Sequence, residues 1–531
     1  MTRTPRLRRA FAAALATMLL AAGLASAASA PAYADTWQPI DGTGSTWSQN
    51  ALDQWRKNVA SNYGMTINYS GTGSSAGRQD FINQRVAFAV SEIPFQAQPE
   101  DNSPPEVPQT GYAYMPIVAG GTSFMYNLKI GGKKVTNLRL SGEVISKIFT
   151  GQIANWNDAA IQADNPGLAM PDKAIVPVVR SDGSGTSAQF TLWMSKQFPS
   201  IWTAGMRSQF PTPANGKAQN GSLGVAGYVS QDYGEGAITY VEYSYALKSG
   251  FPVAKVLNPS GYYIEPTYQS VAVALMSASV NADLTQNLDS VYNSGDARAY
   301  PLSSYSYMIV PTELNKVFTT AKGRTLGAFA NYMLCEGQQQ AAALGYSPLP
   351  MNLVQAGFEQ IKRIPGADVS GVDLNTCNNP TFKPGDSPSN NQLAATAPQP
   401  AACDKQGPDQ CTTGTAGAVE ETPVTGTGGG GGSSDAGANA NAGGTPSAGA
   451  GTTGGGSTGS TGATYDANGN LVSGGSSTTA GLAVSSPFTL ADPGWGPAQL
   501  LMAAAGILLL VAIVVPPLTS RRLRESRPPK A

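Results

Sequence analysis

The chain has no histidine among its 531 residues. That absence removes the Ser-His-Asp and Cys-His routes to an activated nucleophile, histidine general-base work and histidine metal sites together. Charge is scarce as well: Asp, Glu, Lys and Arg make up 13% of the chain and the formal net charge is −1. No sequence-wide basic field is there to recruit nucleic acid, so no nucleic-acid partner is expected. Two catalytic patterns fail for want of a residue. GSSAG at 73–77 has the shape of a nucleophile elbow but no histidine to serve it, and the glycine-rich turns lack the lysine that a P-loop requires. Cysteine is limited to Cys335, Cys377, Cys403 and Cys411, whose spacing fits no zinc cluster. Three pairings are open, and proximity favours Cys403 with Cys411, leaving Cys335 with Cys377.

Long apolar runs occur only near the two ends. MTRTPRLRRAFAAALATMLLAAGLASA places Arg3, Arg6, Arg8 and Arg9 before an apolar stretch, and Ala32-Tyr33-Ala34 follows. This is the pattern of a secretory signal over 1–34, cut before Asp35. AQLLMAAAGILLLVAIVV, 498–515, is uncharged and long enough for one membrane-spanning helix. Arg521, Arg522, Arg524, Arg527 and Lys530 mark 516–531 as a basic cytoplasmic tail, which puts the body outside the cell and its cysteines where disulfides persist. Residues 383–492 are dominated by Gly, Ala, Ser, Thr and Pro and read as a disordered tether. Its random-coil reach is about 50–60 Å.

Between these segments, residues 35–380 alternate strand-like apolar runs with helix-period stretches, the pattern of α/β domains. Three strand-to-helix junctions resemble one another. In DGTGSTWSQNALDQW, Thr46 stands where an N-cap belongs; in INYSGTGSSAGRQDF a helix opens near Ser74 or Ser75; in IVPVVRSDGSGTSAQF, Ser184 and Thr186 begin the helix. Each alone is an ordinary cap. Together they aim helix N-termini, close-approaching glycine backbone and small hydroxyl donors at one crevice, which suits an anion. Arg180 supplies a planar cationic fork for an oxyanion, and Asp182 is placed to hold that fork. The plainer alternative for this pair is a surface ion pair of little energetic value.

The stretches DGTGST, NYSGTGSSAG, IFTGQIANWND at 148–158, VVRSDGSGTS and AITYVEYSYA at 237–246 occur in an order that resembles the phosphate-binding protein of ABC phosphate importers. The resemblance covers residues 35–360. It implies a two-lobed, type II periplasmic-binding-protein fold, with one lobe formed by 35–120 and 300–380 and the other by 121–299, followed by the tether and the membrane helix. It implies no enzyme and no cofactor. The residues it points to are Thr46, Trp47 through its backbone N–H, Ser74, Arg180, Ser184, Gly185 and Thr186, with Asp182 buttressing the arginine.

One position departs from the family pattern. Where the family has an aspartate that accepts the proton still carried by phosphate, VAFAVSEIPF has Glu92. Ionised sulfate has no such proton, so its oxygen would face the carboxylate unpaired. The plainer alternative is that Glu92 is a solvated carboxylate outside the site. The partners implied are inorganic phosphate, the permease subunits of an ABC importer, and the membrane through the C-terminal helix. The alternative function is a surface sensing or adhesion protein that keeps the fold without delivering solute.

Overall fold

The structure is a computed structural model and describes residues 37–99, 102–370, 372–383, 385–387, 389–418, 464–465 and 471–473. The expected leader at 1–34, apolar span at 498–515 and basic tail at 516–531 lie outside the described residues. Among the described residues no helix is long and apolar enough to cross a membrane.

The body opens with β1 (Ile40–Gly44), α1 (Gln49–Tyr63), β2 (Ile67–Ser70), α2 (Ser74–Ile82) and β3 (Phe88–Ser91). In α1, Ala51, Leu52, Trp55 and Val59 recur at three- and four-residue spacing and bury one face. The helix stops at Gly64, whose left-handed backbone lets its N–H return to the Ala60 carbonyl at 3.1 Å. Thr46 is not its N-cap: that position is Ser48, two residues later, and its side chain makes no capping bond. The Thr46 hydroxyl is engaged elsewhere.

There follow, with shorter elements between them, β4 (Tyr112–Tyr126), β5 (Arg139–Leu140), β6 (Val176–Arg180), α3 (Gly185–Gln197), β7 (Lys217–Gln219), α4 (Gly221–Val229), β8 (Ala237–Glu242) and β9 (Lys255–Leu257). The series continues with α5 (Tyr268–Leu275), β10 (Ser303–Pro311), α6 (Thr320–Leu334), α7 (Met351–Ile361) and α8 (Gln392–Thr396). Eight strands form one mixed sheet in the order β2-β1-β3-β10-β4-β8-β6-β7. β4 links its two halves. Tyr112 to Gly121 pair antiparallel with β10, and Thr122 to Tyr126 pair antiparallel with β8.

This register fixes where a site can form. β1, β2 and β3 run parallel to one another, and β3 shares the direction of β4 because both are antiparallel to β10. Their carboxyl ends therefore point toward the second half of the sheet. β8 is antiparallel to β4 and carries β6 and β7 parallel with it, so their carboxyl ends point back. The helix starts after β1, β2, β6 and β7 all meet at that reversal, as the topology of open α/β sheets requires of a binding crevice.

Apolar packing holds each half. Trp55, Val59, Phe88 and Phe329 are fully buried in the first. In the second, Phe190 of α3 sits 5.0 Å from the Tyr240 ring and 5.1 Å from Phe149, contacts worth about 0.5–1.5 kcal/mol each beyond their buried area. The cysteines pair as Cys335–Cys377 and Cys403–Cys411.

The C-terminal part corrects two boundaries, since neither does the body end at 380 nor the tether begin at 383. Residues up to Ala418 pack on the body: Ala394, Ala397 and Ala416 are buried and Lys255 pairs with Asp404 at 2.7 Å. Composition misleads here because small alanines and backbone carbonyls do the packing, the latter received by long side chains of the body. In a separate unit from Ser447 onward, Thr464–Tyr465 and Leu471–Ser473 pair antiparallel.

Candidate anion-binding site

Arg180 ends β6 and its side chain is 2% exposed. Its Nε donates to Asp182 Oδ1 at 2.7 Å and its Nη2 to Asp182 Oδ2. Asp182 Oδ1 also receives the Gly221 N–H at 2.9 Å, from the start of α4. Burial opposes ionisation of Asp182, but the Arg180 bonds and charge outweigh it and hold the carboxyl below the ordinary carboxylate value. The pair is therefore no surface ion pair. Its third arm, Nη1, reaches Thr186 Oγ1 at 3.4 Å and Ser222 Oγ at 3.3 Å, both long contacts.

Around that arm the other residues converge. Thr46 Oγ1 lies 2.9 Å from Ser222 Oγ and accepts the Ser222 N–H at 3.1 Å, joining the end of β1 to the start of α4. Ser184 caps α3, its hydroxyl oxygen accepting the Ser187 N–H at 3.2 Å and leaving its own O–H to donate. Gly185 opens α3 against the opposite wall. A Cβ there would fall 2.1 Å from Glu92 Oε2 and 2.6 Å from Ser74 Oγ, so only glycine admits this approach. Gly73 has φ +93°, and a Cβ on it would meet Asp182 Oδ2 at 2.7 Å. The start of α2 is docked on the same loop, the Ser75 N–H donating to the Gly183 carbonyl at 3.0 Å.

Glu92 follows β3 and is 1% exposed, so it is not a solvated carboxylate. Its Oε1 accepts from Ser45 Oγ at 2.5 Å and Ser306 Oγ at 3.0 Å, and its Oε2 from Ser74 Oγ at 2.8 Å. Its backbone carbonyl receives Gln189 Nε2 of α3 at 2.8 Å, which ties the two halves together beside the site. Burial raises the Glu92 pKa, against the opposing hydroxyl bonds and the Arg180 charge.

All the residues expected from sequence thus lie in one buried cluster, with a difference at Trp47. Its backbone N–H is taken by Ser45 Oγ at 2.9 Å, its indole donates to Thr122 Oγ1 at 3.3 Å, and its ring packs edge-on against Tyr346. Ser45, Ser222 and Ser306 were not foreseen. Ser222 was within reach of the same reasoning, because GSLGV follows the short strand β7 as GTSAQ follows β6. Ser306 carries only the signal of a hydroxyl in an otherwise apolar strand.

The cluster combines a cation whose third arm makes only long contacts, a ring of hydroxyls, four helix N-termini and a buried carboxyl, Glu92, that can take or give a proton. It has the chemistry to hold a small tetrahedral oxyanion and lacks an activated nucleophile.

The sequence model of a PBP superfamily domain matches residues 25–336. The phosphate-binding protein PstS of Xylella fastidiosa strain Temecula1 is 32% identical over 319 residues, 60% of this chain and 83% of that protein. The protein of the same name from Pasteurella multocida is 31% identical over 323 residues, covering 60% and 88%. That of Methanocaldococcus jannaschii is 30% identical over 344 residues, covering 61% and 85%. With its glycine-rich junctions, buried arginine and carboxyl in one crevice, the chain belongs to the PstS phosphate-binding protein family of the PBP superfamily, a family of binding receptors and not of enzymes.

Proposed function

We propose that the protein binds inorganic phosphate in this crevice, between two lobes that meet along β4 and β10, and delivers it to the permease of an ABC importer. The observation that carries the reading is the burial of Glu92 in the same cluster as Arg180, ringed by Ser45, Ser74 and Ser306. An arginine alone would serve any oxyanion. A carboxyl beside it selects one that carries a proton.

In this reading the anion takes over contacts that the side chains now make with one another. Arg180 Nη1 and the hydroxyls of Thr46, Ser74, Ser184, Thr186 and Ser222 turn to its oxygens, and the backbone at Gly185 approaches it most closely. Ionised Glu92 accepts the phosphate O–H. Because Thr46, Ser74 and Glu92 come from the first half of the sheet and Arg180 to Thr186 with Ser222 from the second, the anion favours the closed form. The leader at 1–34 and the span at 498–515 would export this body and anchor it, and the permease would meet it at the outer face of the membrane.

The test is ligand-dependent stability of the anion-stripped protein. Phosphate at a hundredfold excess over its Kd should raise the unfolding free energy by about 2.7 kcal/mol. A phosphate-insensitive melting temperature would remove the proposal.

A further inference from the structure

We propose that residues 378–402 form a third connection between the two halves of the sheet, a strap whose fixed ends limit how far the halves part. This rests on the reading of the crevice as a capture site that opens and closes.

The near end belongs to the first half. Cys377 is joined to Cys335, the residue that terminates α6, and α6 packs on α1 and β1. Beside the disulfide, Asn379 Nδ2 donates to the Leu334 and Leu349 carbonyls at 3.1 and 3.3 Å, and Thr381 Oγ1 to the Leu349 carbonyl at 2.8 Å.

The far end belongs to the second half. Cys403–Cys411 closes a small loop, and Arg139, itself 1% exposed, donates its Nη1 to the Cys403 carbonyl at 3.1 Å and the Asp409 carbonyl at 2.8 Å. Lys255 pairs with Asp404 at 2.7 Å, both about nine-tenths buried, and Asn137 Nδ2 donates to the Cys411 carbonyl at 2.7 Å. Past the loop, Thr415 Oγ1 donates to the Val253 carbonyl at 2.6 Å and the Ala416 N–H to Glu265 at 2.7 Å. Arg139 and Lys255 stand on β5 and β9, which pair with each other. The residue before β9, Ala254, donates to Phe124 in the part of β4 that pairs with β8.

Between these ends the chain has little slack. Pro398 and Pro400 restrict its backbone. α8 is capped by Asn391 and packs on α5, while Arg298 Nη1 holds the Ala394 and Ala397 carbonyls at 3.0 and 3.2 Å. Opening therefore has to straighten this run or strip one end of buried polar contacts, including the Lys255–Asp404 pair. The strap lies beyond residue 336, where the match to the PBP superfamily domain ends.

An insert of about ten Gly and Ser residues between the exposed Ser389 and Asn390, ahead of the α8 cap, lengthens the run that crosses between the halves while leaving both docked ends intact. Spin labels carried by unnatural amino acids at the exposed Lys57 and Lys217, one on each half, report their separation in the anion-free full-length protein. The insert should widen the distance distribution toward longer values and speed phosphate release severalfold in stopped flow. A distribution unchanged from the parent would overturn the strap. Because the distance is read without phosphate, a widened distribution in a protein that takes up no phosphate would uphold the strap and remove the capture reading. Should the insert disturb folding, the variant Arg298→Ala, which releases the Ala394 and Ala397 carbonyls where the run first meets the second half, is judged by the same distances and by hydrogen exchange over 392–397. Widening with lost protection supports the strap, and neither change overturns it.

Discussion

Among the described residues the protein buries two arginine–carboxylate pairs, Arg78 with Glu106 in the first half and Arg180 with Asp182 in the second, with side chains 2% and 8% exposed in the former and 2% and 6% in the latter. Their surroundings differ. Arg78 gives Nε and Nη2 to Glu106 at 2.7 and 3.1 Å and Nη1 to Ser91 at 2.9 Å, and Glu106 also takes the Gln96 N–H at 2.8 Å. That arginine is saturated with short bonds and acts as a brace under β3. Arg180 is held as firmly by its aspartate, but its remaining arm has only hydroxyls at 3.3 and 3.4 Å. A buried cation whose third arm is loosely engaged is one that a ligand can use. Burial alone does not distinguish a binding arginine from a structural one; the bonding of its last nitrogen does.

The largest expected effect breaks the comparison at both arginines. Arg180→Ala should weaken phosphate binding by about 2–5 kcal/mol, some thirty- to several-thousand-fold in Kd by titration calorimetry. Arg78→Ala should instead cost about 3–5 kcal/mol of folding stability in urea, because Glu106 is left buried and uncompensated. Phosphate affinity of its folded fraction should change far less. If the two variants exchanged these signatures, the assignment of roles would be wrong.

Next in size is Glu92→Gln. An amide offers N–H donors to an unprotonated oxyanion, so the preference for phosphate over sulfate should shrink by about two orders of magnitude or more, read as the ratio of Kd values. Acidification should act in the same direction on the unaltered protein. With its pKa raised by burial, Glu92 is ionised above that value and repels sulfate; below it the neutral carboxyl donates a hydrogen bond. Sulfate competition with phosphate should therefore strengthen as pH falls, and discrimination that is flat with pH would argue that Glu92 does not face the anion. The smallest effect is that of Ser222→Ala, which removes one hydroxyl and should weaken phosphate binding by about 0.5–1.5 kcal/mol, roughly two- to thirteenfold in Kd.

The cradle was legible in sequence because its parts are local. A glycine-rich turn after an apolar strand fixes both the backbone approach and the helix start, so Ser74, Ser184, Gly185 and Thr186 could be placed from their neighbours alone. What bonds across the fold was not legible. The Glu106 that saturates Arg78 comes from 28 residues away, and the Ser306 hydroxyl on Glu92 from 214 residues away. The segment to Ala418 was misread for a related reason. Its order comes from Arg139, Lys255 and Arg298 reaching out of the body to its carbonyls and to Asp404, not from an apolar pattern of its own.

The most direct measurement is calorimetric titration of phosphate and then sulfate into the anion-stripped protein near neutral pH. Strong phosphate heat with none from sulfate is the predicted result. Equal binding of both anions would contradict the role given to Glu92, and heat from neither would contradict the anion site itself.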